Sequence, residues 1–281
     1  FIKKKYTPNF LNIRDNIIDL KSPKIMGILN LTEDSFYDGG KHNTIKKSLL
    51  QCEKMIHEGA HFIDIGVHSS KPGSKIISPS DEIELLMPYL EKILKEFDNF
   101  CFSIDTYNSE VAKISIEMGV SIINDISAGS IDNEMFSLIS KYNIPYVVMH
   151  MKGKPISMQK QPKYRNVTTE IIDFFHEKIN QVKREGIKNI IIDPGFGFGK
   201  RESHNYELLK NLSDFKIFNY PILVGVSRKS MIYNKLDILP EFALNGTTAV
   251  HMLALERGAK ILRVHDVKEA KECITLWETL Q

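Results

Sequence analysis

Ile25-Met-Gly-Ile-Leu-Asn-Leu-Thr-Glu-Asp-Ser-Phe-Tyr-Asp-Gly-Gly40 begins as an apolar run and ends as a polar, glycine-terminated loop, with Asn30 where the character changes. A short run that is apolar at successive positions, without alternation, is expected of a strand buried on both faces. The same shape recurs at residues 62–65, 100–104, 122–126, 146–149, 190–192, 222–226 and 261–264, so that residues 25–29 are the first of eight such runs. Stretches of helical periodicity lie between them, at 45–57, 83–97, 110–118 and 168–184 among others. Repeated βα units of this kind predict a parallel sheet with helices over it, as a closed (β/α)8 TIM barrel or an open doubly wound sheet. The ends of the runs favour the barrel. Asn30, His68, Asp105, Asn124 with Asp125, His150, Asp193, Ser227 to Lys229, and Arg263 with His265 each follow a run, and a barrel would gather them around one mouth.

Residues 1–23 precede the first βα unit and carry two weak extended patterns, 10–13 and 17–20, around Arg14-Asp15-Asn16. They are expected to form an N-terminal hairpin extension that closes the bottom of the barrel, and residues 1–281 to form one domain. No repeat beyond the βα period and no linker of distinct composition interrupts the chain.

Composition excludes several classes of function. With 42% apolar and 26% charged residues the chain reads as ordinary globular protein and not as a disordered one. Its net charge of +2 gives no field of the kind that draws nucleic acid, and no run approaches the length of a membrane span. The three cysteines, Cys52, Cys101 and Cys273, stand in no metal or redox spacing and read as reduced thiols, which points to a cytoplasmic protein. The chain opens on Phe1, and nothing is read from its first few residues.

Asn30 offers a hard amide oxygen suited to Mg2+, and equally suits a turn. In Ile190-Ile-Ile-Asp-Pro-Gly-Phe-Gly-Phe-Gly-Lys200 the glycines imitate a phosphate loop. Pro194 stands where its first glycine belongs and Arg201 where its hydroxyl belongs, so a turn that brings backbone close to a flat ligand is the better reading. Asp105 and Asp193 are placed to accept paired N–H groups from an amino-pyrimidine edge, with Asn124 beside them; each also fits helix capping. Ser227-Arg-Lys-Ser230 and Arg263-Val-His265 follow the seventh and eighth strands, where barrels often hold phosphate. His150, between Met149 and Met151, reads as packing, and His42, His57, His61 and His204 as surface residues. No nucleophile elbow and no Cys–His pair is present. The residues thus describe a pocket for a flat hydrogen-bonding ring attached to a phosphate-bearing group.

From about Pro23 onward the chain resembles the bacterial dihydropteroate synthase family. The motifs that carry the resemblance are Gly27-Ile-Leu-Asn30 with Asp34-Ser-Phe36 and Asp38-Gly-Gly40, Gly59-Ala60 with Asp64-Ile-Gly66, Ser103-Ile-Asp-Thr106, and Ile123-Asn-Asp125. Met149-His-Met151, Asp193-Pro-Gly195 with Gly197-Phe-Gly-Lys200, Ser227-Arg-Lys-Ser230 and Arg263-Val-His-Asp-Val267 complete the set, in order. The resemblance implies a transferase of folate biosynthesis that joins 6-hydroxymethyl-7,8-dihydropterin pyrophosphate to p-aminobenzoate, releasing pyrophosphate, usually as a homodimer and with sulfonamides as competitive inhibitors. It implies that Asp105, Asn124, Met149, Asp193, Phe198, Gly225 and Lys229 hold the pterin. Asn30, Arg263 and His265 would hold the pyrophosphate, with Asn30 on its Mg2+, and Phe36, Ser70, Lys71, Pro72, Lys229 and Ser230 would surround p-aminobenzoate. The catalytic set it implies is Asp105, Lys229, Arg263 and His265. The second loop departs from the family: His68-Ser-Ser-Lys-Pro-Gly73 stands where members typically read Glu-Ser-Thr-Arg-Pro-Gly, so Lys71 gives up the bidentate fork of an arginine. A pterin-binding methyltransferase and a non-catalytic pterin-binding protein would share part of this pattern.

Overall fold

Eight parallel strands form one sheet in the order β8-β7-β6-β5-β4-β3-β10-β9. They are β3 (Lys24–Asn30), β4 (Phe62–Gly66), β5 (Phe102–Asp105), β6 (Ile122–Asp125), β7 (Tyr146–Met149), β8 (Ile190–Asp193), β9 (Leu223–Val224) and β10 (Ile261–Val264). The sheet closes on itself: Ile192 of β8 bridges Ile222 in parallel, and its N–H donates to the Pro221 carbonyl at 3.0 Å. The computed structural model describes residues 10–13, 16–31, 41–67, 77–153, 158–159 and 162–281.

The outer layer consists of α1 (Lys41–His57), α2 (Pro79–Glu96), α3 (Ser109–Met118), α4 (Glu134–Tyr142), α5 (Val167–Arg184), α6 (Glu202–Lys210), α7 (Ser230–Leu236), α8 (Leu244–Glu256) and α9 (Val267–Glu278). Several begin earlier than apolar periodicity alone places them, because polar caps start them. Ser78 Oγ accepts from the Asp81 N–H at 3.2 Å with Pro79 in the first turn of α2, and Asn166 Oδ1 accepts from the Thr169 N–H at 2.9 Å at the start of α5. Among the described residues no helix is long and apolar enough to cross a membrane.

β1 (Phe10–Ile13) and β2 (Asn16–Asp19) pair antiparallel, with Phe10 opposite Asp19 and Ile13 opposite Asn16. Leu11, Ile13 and Leu20 pack against Met26, Phe62, Ile122, Val147, Ile191, Leu223 and Ile261, which come from seven of the barrel strands. The hairpin is therefore the floor of the barrel, as the sequence predicts. Residues one step away on each strand, such as Ile25, Ile63, Ile123, Val148, Ile192 and Leu262, join the larger core under the helices. Both faces of every strand are filled, which explains why the runs do not alternate in polarity.

Alternation nevertheless holds in space. The next inward positions above the apolar floor are Ile28, Asp64, Asp105, Asn124, Met149, Asp193, Gly225 and Arg263. The register keeps them level, with Asp105 opposite Asn124 and Met149 opposite Asp193. One two-residue step converts an oily interior into a polar one.

The seventh strand is shorter than the expected 222–226. Pro221 has no N–H to give the ladder, Ile222 contributes a single bridge, and the chain leaves the sheet at Gly225. His61 is more deeply set than the surface position expected of it, while His204 stays partly exposed. The Nδ1 of His61 accepts from the Ile25 N–H at 3.2 Å, and that of His204 accepts from the Arg201 N–H at 3.1 Å beneath the Tyr164 ring.

His251 on α8 is 1% exposed, and neither ring nitrogen has a hydrogen-bond partner among the described residues. Burial, partly opposed by Asp266, pushes its pKa from 6.5 down to about 4. The unfolded chain therefore takes up a proton there before the folded one does, so this site's support for folding is complete above pH 6.5, begins to fall below it and is lost by about pH 4. His251→Leu removes the liability at similar volume. The variant is expected to lose less melting temperature than its parent between about pH 7.5 and pH 5, by scanning calorimetry; parallel losses would assign the acid sensitivity elsewhere.

Candidate active site

The polar layer is organised around a carboxylate that the sequence hides inside a strand. Asp64 is fully buried, and its Oδ2 accepts both the Arg263 Nε–H at 2.7 Å and the Asn124 Nδ2–H at 2.8 Å. The same guanidinium donates from Nη2 to Asp105 Oδ2 at 3.0 Å. Nη1 of Arg263 meets no partner among the described residues. Asp64 Oδ1, Asp105 Oδ1 and Asn124 Oδ1 are buried acceptors, likewise without a hydrogen-bond partner among the described residues. Buried acceptors without donors are costly, so three of them level in one layer mark a place built for a ligand's N–H groups.

Burial pushes the Asp105 carboxyl up to about 7; the Arg263 charge opposes this, and Asp64 and Asp125 add to it. Asp193 is raised for the same first reason, with Lys229 and the Gly195 N–H opposing. Burial by itself would lower Arg263, but Asp64 and Asp105 outweigh it and leave the guanidinium more firmly protonated than usual. Asp125, which the sequence groups with Asn124, does not belong to this layer. It points the other way and accepts from the Tyr146 hydroxyl at 2.6 Å and from the N–H groups of Ser127 and Gly129, which fixes the turn after β6.

Above the acids lies a cavity of about 480 Å3 lined by Asn30, Phe198, Gly225, Lys229, Ser230, Arg263 and His265, with Gln159 and Tyr233 further out. Lys229 Nζ donates to the Phe196 carbonyl and stands 4.8 Å from the centre of the Phe198 ring. Burial lowers its pKa to about 8, against the pull of Asp193. Ser227 Oγ accepts from the His265 backbone N–H at 3.2 Å and lies 3.0 Å from its Nδ1. The two contacts fix the orientation of the ring whichever of the two atoms carries the shared proton. Burial and the neighbouring Arg263 push His265 down to about 4, so the ring is neutral near pH 7.

The structure brings Asn30, Phe198, Gly225, Lys229, Ser230, Arg263 and His265 to one cavity, while Asp105, Asn124, Met149 and Asp193 lie beside and beneath it in the strand layer. Met149 packs with Tyr107 and Ile126 against Phe198. Phe36, Ser70, Lys71 and Pro72 lie outside the described residues. His150 is buried edge-on to Phe174, as the packing reading expects, and its Nδ1 also meets Lys200 Nζ at 2.9 Å. Asp64 and Lys200 are the residues that sequence reasoning passed over as site residues, although both stand in quoted motifs.

Among the described residues no three His, Cys, Asp or Glu side chains cluster as a metal cage. Asn30 fits a different arrangement: a hard oxygen donor at a strand end, on the same cavity wall as the cationic groups. That suits a Mg2+ ion carrying its own waters and phosphate ligands.

The chain matches the family model described as pterin binding enzyme over residues 26–265. It is 42% identical to the dihydropteroate synthase of Escherichia coli K12 over 263 residues, 93% of each chain. The chain belongs to the dihydropteroate synthase family. A crystal structure of the Yersinia pestis dihydropteroate synthase with a sulfonamide drug superposes with a TM-score of 0.90 at 38% identity, covering 96% of this chain and 98% of that one. The Xanthomonas albilineans dihydropteroate synthase in complex with 7,8-dihydropteroate gives 0.86 at 33% identity, covering 97% and 98%. Membership makes this barrel a transferase.

Removing the charge of Asp64 should act through its neighbours. In Asp64→Asn, Asp105 loses a repelling anion and gains a larger share of Arg263, so it ionises more easily. The acid limb of pterin affinity against pH, followed by calorimetry, is expected to move to lower pH while affinity at the plateau falls roughly tenfold or more, the scale of a lost hydrogen bond to a charged group. An unmoved acid limb would show that Asp64 and Asp105 are not coupled.

Proposed function

We propose that the barrel mouth divides the synthase reaction between its buried acids, which hold the pterin, and its cationic wall, which holds the pyrophosphate. The chain condenses 6-hydroxymethyl-7,8-dihydropterin pyrophosphate with p-aminobenzoate to give 7,8-dihydropteroate and pyrophosphate. The observation that carries the reading is the position of Arg263, whose Nε and Nη2 bind Asp64 and Asp105 while its side chain also lines the cavity of Lys229 and His265.

Asp105, Asn124 and Asp193 supply acceptors to the amino-pyrimidine edge, between the Met149 and Phe198 sides of a slot floored by Gly225. An arriving ring N–H displaces Arg263 Nη2 from Asp105. The guanidinium stays anchored through Nε on Asp64 and turns its freed arm to the phosphates, beside the His265 ring. Asn30 would hold Mg2+, which when bound neutralises charge on the phosphates. Pyrophosphate departure concentrates negative charge at Arg263 and His265, donors fixed in place before the reaction, and such preorganised donors often supply the largest catalytic contribution. The positive charge left at the pterin methylene is conjugated with the ring and is stabilised by the Asp105 carboxylate. The amine of p-aminobenzoate attacks it directly, with no strong base required. Lys229 and Ser230 face that second substrate, to which the family's motifs also assign Phe36, Ser70, Lys71 and Pro72, and sulfonamides compete there.

The chain works as a cytoplasmic homodimer in this reading. Leu236, Leu239, Phe242 and Leu253 are exposed apolar residues on α7, α8 and the turn between them, and Leu236 packs close to Gly246 of α8. Exposed apolar residues of this size suit a second copy.

Mixing the pterin pyrophosphate with p-aminobenzoate should release pyrophosphate, and neither substrate alone should do so, as a coupled phosphate assay would record. Release without the amine would instead indicate a hydrolase. Arg263→Ala is expected to lower turnover at least ~100-fold, the scale of losing an oxyanion-type donor, with a smaller loss of affinity for a pterin that lacks the pyrophosphate. Equal losses would place Arg263 in general support of the pocket.

A further inference from the structure

Lys200 is a buried lysine that touches no carboxylate among the described residues and does not line the cavity; burial pushes its ammonium well below the usual lysine range, and the charge of Asp193 opposes this. It is 3% exposed. Its ammonium group meets Gly195 O at 2.7 Å, His150 Nδ1 at 2.9 Å and Phe198 O at 3.1 Å, with His150 O further off at 3.4 Å. Three N–H donors thus find three near acceptors. With Lys200 as the ammonium, Nδ1 of His150 is the acceptor, and burial with the charges of Lys200 and Lys152 pushes that imidazole well below its usual range, towards the neutral ring.

The partners of Lys200 lead to the pterin residues. The Gly195 peptide carries the link: its carbonyl accepts from Lys200, and its N–H donates to Asp193 Oδ1 at 2.7 Å. Gly195 has φ +71°, and a Cβ there would fall 1.9 Å from His150 O, so the peptide is held against the end of β7 in a conformation that a side chain forbids. The Phe198 carbonyl is the second acceptor, and the Phe198 ring lies beneath Lys229. The segment from Gly195 to Gly199 has no regular structure, yet each of its five carbonyls receives a side-chain donor, in order Lys200, Lys229, Gln159, Lys200 and Tyr164. Lys200 serves two of these carbonyls and reaches from within the barrel wall.

We infer that Lys200 is a positioning residue for the pterin half of the site: by holding the Gly195 and Phe198 carbonyls it fixes the rotamer of the Asp193 carboxylate and the plane of the Phe198 ring. Asp193 then keeps one oxygen committed to Gly195 and presents the other to the ligand. In its ammonium form Lys200 also favours the ionised carboxylate of Asp193, against burial, which raises it. An amide or hydroxyl in place of the ammonium would not supply three donors from one atom, and an arginine would not fit the same pocket of acceptors. The inference rests on the reading of Asp193 and Phe198 as pterin residues.

Lys200→Met keeps length and apolar bulk and deletes the donors and the charge. The KM for the pterin pyrophosphate and the Kd for a bare pterin by calorimetry are expected to rise roughly tenfold to a hundredfold, the range of lost hydrogen bonds to a charged group. The KM for p-aminobenzoate at saturating pterin should move less than about threefold, and the acid limb of pterin binding should shift upward as Asp193 loses a supporting cation. A lowered melting temperature with unchanged pterin Kd, or equal changes in both KM values, would overturn the inference. His150→Leu, which removes one acceptor and leaves the lysine, is expected to give the same split at smaller size, and it decides the matter where Lys200→Met does not fold. Asp193→Asn separates the two layers of the argument. If it weakens pterin while Lys200→Met does not, the positioning role falls and the pterin site stands; if neither weakens pterin, the pterin assignment itself fails.

Discussion

A strand buried on both faces still sends alternate side chains to opposite sides, and closing eight such strands makes their inward positions share one narrow interior. That interior must be filled level by level. Here the lower level is aliphatic and aromatic, sealed by the hairpin, and the level above it holds three aspartates, an asparagine and an arginine. Everything the site does depends on this change of level. The oily floor excludes water from below, so the acids sit in a medium where charge is expensive and each must be matched. Arg263 supplies much of that match, bound to two carboxylates at 2.7 and 3.0 Å.

The match is incomplete by design of the layer. One guanidinium cannot satisfy Asp64, Asp105 and Asn124 together, and acceptor atoms of all three remain without partners among the described residues. The carboxyl of Asp105 responds by rising to about 7, first because of burial. A ligand that brings donors to these atoms relieves that imbalance, and in doing so loosens Arg263 from Asp105. The same group that keeps the free layer stable thus becomes available to a second part of the ligand. Preorganisation on the phosphate side and desolvation on the ring side are consequences of one shared cation.

The barrel was legible because double-sided burial leaves an unmistakable mark, a short apolar run closed by a polar residue. Asp105, Asn124, Asp193 and Arg263 could be picked out because they stand at or near the ends of such runs. Asp64 could not: it lies between Ile63 and Ile65, and a sequence shows period but not depth, so an acid two residues from the strand end looks like an interruption. Lys200 was hidden for another reason. A lysine after a glycine-rich loop reads as solvated, and the carbonyls that surround it come from backbone, which no side-chain pattern announces. His61 departs from its surface reading because its partner is a backbone N–H group. The residues expected around p-aminobenzoate in the first two loops have no periodicity to place them, and they lie outside the described residues.

The floor of the barrel also constrains how the molecule comes into being. Leu11, Ile13 and Leu20 seat on side chains drawn from Met26 through Ile261, and β3 pairs with β10 on one side. During synthesis the hairpin and β3 therefore emerge before the rest of the barrel and wait for β10 before their last neighbours exist. Until β10 emerges, β3 has an unpaired edge and the hairpin an incomplete seat, and both are surfaces that attract other chains. A nascent barrel of this construction depends on speed, or on an escort, to protect its oldest residues.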